Sequence, residues 1–259
     1  MIGILPLRTP TLPPATHTNC YRLGDTAIDP ASPYPEEAAR LLAWVSASGT
    51  ALRRIVLTHH HPDHTGGVVA LAAATGAEVW AHREAVVDFA VDHRVEDGDR
   101  IDTGDGVLVC HHTPGHADGH VAFTVEGEDV LIGGDLVAGE GTIVLVGPEG
   151  HLGTYLDSLE RMRTVATRVL PAHGGALPAP DIFDHYIAHR HRRTEQVLDA
   201  LAAGDRTAAE AASRIYEALP GVNLTLAAIQ VSTHLTWLVE RGRIRAVDGG
   251  FVIRDRHEQ

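Results

Sequence analysis

Short apolar runs, each closed by a turn or a polar loop, recur along the first two thirds of the chain. Arg54-Ile55-Val56-Leu57 is short and β-branched, so it reads as a strand. After Gly66-Gly67, the run Val68–Ala74 reads as a helix, and Glu78-Val79-Trp80-Ala81 as the next strand. Upstream, His17–Leu23 and Thr26–Asp29 form a hairpin across Gly24-Asp25. The segment Pro35–Ser48 is a helix: Pro35, Glu36 and Glu37 favour its first turn, Leu41, Leu42 and Val45 give it an apolar stripe, and Gly49 stops it. Further strands are expected at Val107–Cys110, Val121–Val125, Asp129–Ile132 and Arg168–Leu170, with a helix over 154–167. Pro6, Pro10, Pro13, Pro14, Pro30 and Pro33 predict that structure before residue 35 is short and interrupted. Strands alternating with helices imply a layered α/β fold.

The pattern changes at Leu177-Pro178-Ala179-Pro180, which reads as a boundary between a domain at 1–180 and another at 181–259. Three helices come next, Asp181–Leu201, Thr207–Leu219 and Leu224–Arg241, the second opened by Thr207 with Glu210 at the capping-box position. A hairpin across Asp248-Gly249-Gly250 closes the pattern. Three helices and a hairpin predict a winged helix.

Composition narrows the partners. All 21 basic residues are Arg, and the net charge is −13. Residues 181–259 are near balance, with 11 acids against 10 Arg, so the acidic excess lies in the first domain. That charge disfavours non-specific nucleic-acid binding. The third helix carries only Arg241 as a basic group, too few for phosphate contacts, so strong duplex-DNA binding is not expected. No apolar stretch is long enough to span a membrane, and the N-terminus lacks the features of a signal peptide, so a cytoplasmic chain without a membrane partner is expected. Cys20 and Cys110 cannot form a disulfide framework and read as small core residues.

The chemistry concentrates in Thr58-His59-His60-His61-Pro62-Asp63-His64, on a strand-to-helix loop. Imidazole with carboxylate suits zinc, iron or manganese. The spacing His59-x-His61-x-Asp63-His64 resembles the signature of the metallo-β-lactamase superfamily. Three more motifs occur in that family's order: Thr113-Pro114-Gly115-His116, Gly133-Gly134-Asp135 and Pro171-Ala172-His173-Gly174. The resemblance implies a four-layer αββα sandwich. It further resembles the branch with a C-terminal winged helix, on the phrases Ala138–Thr142 and Tyr186–Arg190 with Arg193 downstream; that branch includes a single-stranded-RNA endonuclease and polyketide thioesterases.

By this resemblance, His59, His61 and His116 hold one divalent cation, Asp63, His64 and His173 hold a second, and Asp135 bridges them. Zinc is the expected metal, with iron or manganese as alternatives. The implied activity is hydrolysis by a metal-bridging hydroxide, with Asp63 and Asp135 as catalytic groups. The acidic first domain favours a small acyl substrate (thioester, ester or lactone). Single-stranded RNA is the alternative substrate, and a metal-dependent DNA-binding regulator is the non-enzymatic one. Arg190, His189, Tyr155 and Asn19 are candidate substrate contacts, and the resemblance places Asn19 and Asp29 near the site as supports. His120 is expected beside the ligands or at a strand start, and a homodimer is left open. Asp135→Ala or His61→Ala should lose bound metal and turnover together; full activity with unchanged metal content in either variant would refute the ligand assignment.

Overall fold

The computed structural model describes residues 1–254. Its first sheet has six strands in chain order: β1 (Gly3–Arg8), β2 (His17–Leu23), β3 (Thr26–Ile28), β4 (Arg54–Val56), β5 (Glu78–His82) and β6 (His93–Val95). The second runs β7 (Arg100–Asp102), β8 (Val107–His112), β9 (Val121–Val125), β10 (Val130–Gly134), β11 (Arg168–Pro171) and β12 (Leu177–Pro178), with β7 and β12 at its edges. Helices α1 (Pro35–Ala47), α2 (Pro62–Thr65) and α3 (Val68–Thr75) interleave with the first sheet. Helix α4 (Leu152–Met162) precedes β11, and α5 (Asp181–Ala202), α6 (Ala208–Tyr216) and α7 (Leu224–Glu240) come after the second sheet.

Strand alternation builds the layers. In β4, Ile55 joins Leu41, Val45 and Leu71 on the helix-covered face, whereas Val56 turns inward to Phe123 and Ile132. In β10, Leu131 packs with Leu159, Met162 and Phe183, while Val130 and Ile132 face the other sheet. Successive side chains point to opposite faces, so both sheets are buried on two sides. The αββα sandwich is present.

A fourth core contains Val197, Leu201, Ala211, Val231, Leu235 and Ile244, with Phe251 packed against it. It joins α5, α6 and α7 to the hairpin of β13 (Ile244–Val247) and β14 (Gly250–Ile253). Helix α5 serves two cores, because Phe183 and Tyr186 near its start belong to the core beneath the second sheet. Helix α5 opens immediately after Pro180 and touches both cores. Thr207 caps α6 in a capping box with Glu210, as the spacing predicts.

Structure before residue 35 is short and interrupted, as expected, with strands of six, seven and three residues. Pro6 lies within β1, an edge strand, where one missing backbone donor is tolerated. Two expectations need correction. Helix α4 starts at Leu152 and ends at Met162, not over 154–167. The His151 ring accepts from the Thr154 amide and sets the start, and the Asp129 carboxylate takes the Thr167 amide beyond the end. Leu177–Pro178 is a short strand paired with β11 rather than plain linker.

Phe123 is fully buried between the sheets. Phe123→Ala should cost about 3–5 kcal/mol. The expected signature is a lower urea midpoint with an unchanged denaturant slope.

Candidate metal centre

Four loops meet at one end of the sandwich. The loop after β4 carries His59, His61, Asp63 and His64; the β8–β9 loop carries His116; the end of β10 leads to Asp135; and the end of β11 to His173. Two glycines permit this. Gly134 has φ +53°, and a Cβ there would stand 2.7 Å from His120 Nε2 and 2.9 Å from Thr58 Cβ. A register shift between Ile132 and Gly134 accompanies the bend that delivers Asp135. Gly115, at φ +116°, lies against the Tyr155 backbone, where a Cβ would come within 2.3 Å.

Three ligand triads result, each with its donor atoms within 4.8 Å of one another: His59, His61 and His116; His59, His64 and Asp135; and Asp63, His64 and His173. His59 Nε2 lies 3.0 Å from His61 Nδ1 and 3.2 Å from His116 Nε2. Asp135 spans the two groups, with Oδ2 3.4 Å from His116 Nε2 and Oδ1 3.3 Å from His173 Nε2. His173 Nε2 is also 3.7 Å from Asp63 Oδ2.

The opposite edges of these rings are tied down. His64 Nδ1 donates to Asp29 Oδ2 at 2.8 Å, and the other Asp29 oxygen takes the Thr58 amide. His116 Nδ1 donates to the Val144 carbonyl and His173 Nδ1 to the His17 carbonyl, both at 2.9 Å. His61 Nε2 stands 3.4 Å from Glu149. His120 Nε2 accepts the Asp135 amide. Such outer partners fix ring orientation and tautomer. Asp29 adopts φ +52°, unusual for a residue other than glycine but accessible to Asp and Asn. Its support role and that of His120 could be anticipated; those of Thr58 and Glu149 could not, because neither is a ligand in any motif.

Electrostatics divides the imidazoles. Burial, then neighbouring histidines, holds His59 well below its ordinary value and lowers His61. Burial likewise brings His116 down to about 4. These rings are neutral near pH 7, the state that coordinates metal. Burial alone would lower His64 and His173 too. For His64 the carboxylates of Asp135 and Asp29 outweigh it and lift the ring well above its usual value, and Asp135 raises His173 in the same way. Burial alone would raise Asp135, but His64 and His173 hold it well below the usual carboxylate range.

Two buried atoms decide the fit to metal. Among the described residues, His64 Nε2 and Asp135 Oδ1 have no hydrogen-bond partner. Unpartnered buried polar atoms are costly, and a cation satisfies both. The donor set of imidazoles and carboxylates therefore suits divalent metal.

A match to the family model described as "Metallo-beta-lactamase superfamily" covers residues 16–174. The chain belongs to the metallo-β-lactamase superfamily. Members of that superfamily are generally metal-dependent hydrolases. The chain is 33% identical over 194 residues to the lactamase-like protein nscB of Trichophyton rubrum, covering 71% of this chain and 58% of that protein. The chain thus spans less than two thirds of that relative's length. A metallo-beta-lactamase family protein of Thermus thermophilus shares the fold over 98% of both chains, with TM-score 0.82 and 23% identity. The protein TTHA1623, solved in a di-iron-bound form, matches over 67% of this chain and 94% of its own, with TM-score 0.55 and 28% identity.

The four substrate-contact candidates fall elsewhere. A cavity of about 260 Å³ opens over the candidate ligands and is lined by His61, Asp63, His116, Asp135 and His173, and by none of those four. Tyr155 is fully buried in the core and donates to the Leu136 carbonyl. Asn19 donates to the carbonyls of Pro171 and Gly174, clamping the loop that carries His173. Arg190 and His189 line a different cavity. Strand alternation lets at most one of His111 and His112 face the site. Their rings bond instead to the Thr124 hydroxyl and the Asp118 carbonyl. His82 groups with Glu84 and His112, its ring stacked on that of His112 at 4.1 Å.

Asp29→Asn keeps the shape and tolerates the backbone but weakens the acceptor for His64. It should reduce affinity at the Asp63–His64–His173 site about 10–100-fold while the His59–His61–His116 site still loads, read by metal content against free metal. Because the pKa values of His64 and His173 are raised, protons compete with an arriving cation for both rings. Metal uptake near neutral pH should therefore release protons, and affinity should fall as pH drops; titration calorimetry in buffers of different ionisation enthalpy reads both.

Proposed function

We propose that this chain hydrolyses a small acyl substrate, a thioester, ester or lactone, at a centre of two divalent cations. The observation that carries this reading is the wall of the metal cavity. Leu12, Ala15, Val144 and Val146 make it apolar, Thr11 and Thr142 add hydroxyls, and Glu140 is its one charged group outside the ligand set among the described residues. None of the described Arg residues lines it. A phosphodiester backbone needs cations along its path, whereas an acyl chain needs apolar surface. The RNA alternative therefore has less support, and the DNA-binding alternative less again, since Arg241, the C-cap of α7, is the only basic residue between 224 and 241.

His59, His61 and His116 would hold one cation, Asp63, His64 and His173 the other, with Asp135 shared. When bound, the cations would supply Lewis acidity and lower the pKa of water from about 15.7 toward about 7. The chain supplies the rest. Asp63 lines the cavity, with 18% of its side chain exposed, and accepts the proton of the attacking water. Water oxygen bonds to the acyl carbon, the bond to the leaving sulfur or oxygen breaks, and the proton passes from Asp63 to that leaving atom. Leu12, Ala15 and Val146 pack the acyl chain and exclude bulk water. Zinc is the metal we assign; iron is a second reading, favoured by the di-iron form of TTHA1623. The three helices and hairpin of residues 181–254 are read as a winged-helix-like unit with a packing role.

The test is a screen of metal-replete protein against thioesters, lactones, esters, a phosphodiester reporter and short single-stranded RNA. Turnover of the acyl set is expected, with Asp63→Asn lowering kcat by about 10²–10⁴. Cleavage of RNA alone would overturn the acyl reading.

A further inference from the structure

The segment Thr142–Val144 is a partition. On one side lies the metal cavity; on the other lies a second cavity of about 280 Å³, walled by α5, α6 and α7. Thr142 and Val144 line both.

The second cavity has a one-sided charge. Arg190, Arg193, His189 and His234 line it, and no described Asp or Glu does. Arg190 is only 4% exposed. Its partners are neutral: the Ile143 carbonyl at 2.5 Å, the Gln230 side chain at 3.5 Å and the Tyr155 ring at 5.2 Å. Its Nε has no partner among the described residues. Within the same set, neither Arg190 nor Arg193 pairs with a carboxylate. A buried guanidinium without a counter-charge is costly, because desolvation is not repaid by an opposite charge. Arg193 is held over the Tyr216 ring at 4.5 Å, which presents rather than neutralises it. Burial first, then Arg190 and Arg193, brings His189 down to about 4; burial, then Arg190 and His189, brings His234 to about 3. Both rings are neutral near pH 7, and a neutral ring keeps one N–H to donate. At about 30 Å³ per water, the space holds several waters or a small anionic group.

We propose that this second cavity binds an anionic group, a carboxylate or phosphate of a small molecule, on Arg193, Arg190 and His189. The site adjoins the metal centre through three consecutive residues. Arg190 holds the Ile143 carbonyl, His116 holds that of Val144, and the Gln230 amide brackets Leu145 through both its N–H and its carbonyl. The anion is either the far end of the substrate, reaching past Thr142, or a separate small molecule.

Binding is read by calorimetric titration of inorganic phosphate into the metal-loaded chain at fixed ionic strength. Arg193→Gln should weaken it at least tenfold. Arg192→Gln, an exposed neighbour outside the cavity, should leave it unchanged. His189→Gln keeps a neutral donor and should weaken it less than Arg193→Gln. Arg190→Gln is avoided, since Arg190 also braces the partition. No phosphate binding by the wild type, or binding of equal strength in Arg193→Gln, would overturn the proposal; the second result would place phosphate at the metals. Acyl substrates with and without a terminal carboxylate then separate the sources. A KM increase in Arg193→Gln confined to the carboxylate-bearing substrate identifies the substrate's own end, and phosphate-dependent turnover of the neutral one identifies a separate effector. The binding test stands even if the acyl reading fails, because it needs no turnover.

Discussion

Burying Asp135 among imidazoles is the constraint on which this molecule turns. Its carboxylate lies 3.3–3.5 Å from ring nitrogens of His64, His116 and His173, and its Oδ1 has no hydrogen-bond partner among the described residues. A carboxylate in that position is tolerable only where positive charge surrounds it. Asp135 raises the pKa of both His64 and His173, so these rings favour the charged form beside it. The surrounding scaffold serves this need. Asp29 and the carbonyls of Val144 and His17 hold the rings. Gly134 lets the chain turn sharply enough to deliver the carboxylate.

The sandwich makes such convergence possible. Six strands on each side leave one end where loops after β4, β8, β10 and β11 come together. The loops are buttressed by buried sheets, so ligands far apart in sequence are held at fixed separations. The helical unit adds a wall. Its contacts to Ile143 and Leu145 set the segment whose neighbour, Val144, holds His116. The C-terminal region is thus mechanically connected to His116, a candidate ligand.

Much of this was legible in the chain. The ligand motifs occur on strand-ending loops, and short β-branched runs marked β4, β8, β9 and β10. The capping box at Thr207 and Glu210 located α6. The misses have physical causes. No strand was marked at β1, where Pro6 interrupts the run and an edge position tolerates it. Beyond the end of α4, the Thr167 amide is taken by Asp129, 38 residues away, a pairing no local pattern announces. Glu149 approaches His61 and His60 from a loop without a motif.

By itself, the sequence put the candidate imidazoles and carboxylates on particular loops in a particular order, because local periodicity and turn chemistry decide where a strand ends and which residues lie just beyond it. It also determined the net charge of −13. Only the tertiary structure decided which side of the Thr142–Val144 partition each remaining candidate faces. Tyr155 fell into the core, Asn19 behind the His173 loop, and Arg190 with His189 into the second cavity. The reason is that a helix's hydrophobic period says which face is buried but not against what. That depends on how α4 and α5 dock onto the second sheet, a contact made between segments with no shared local signal.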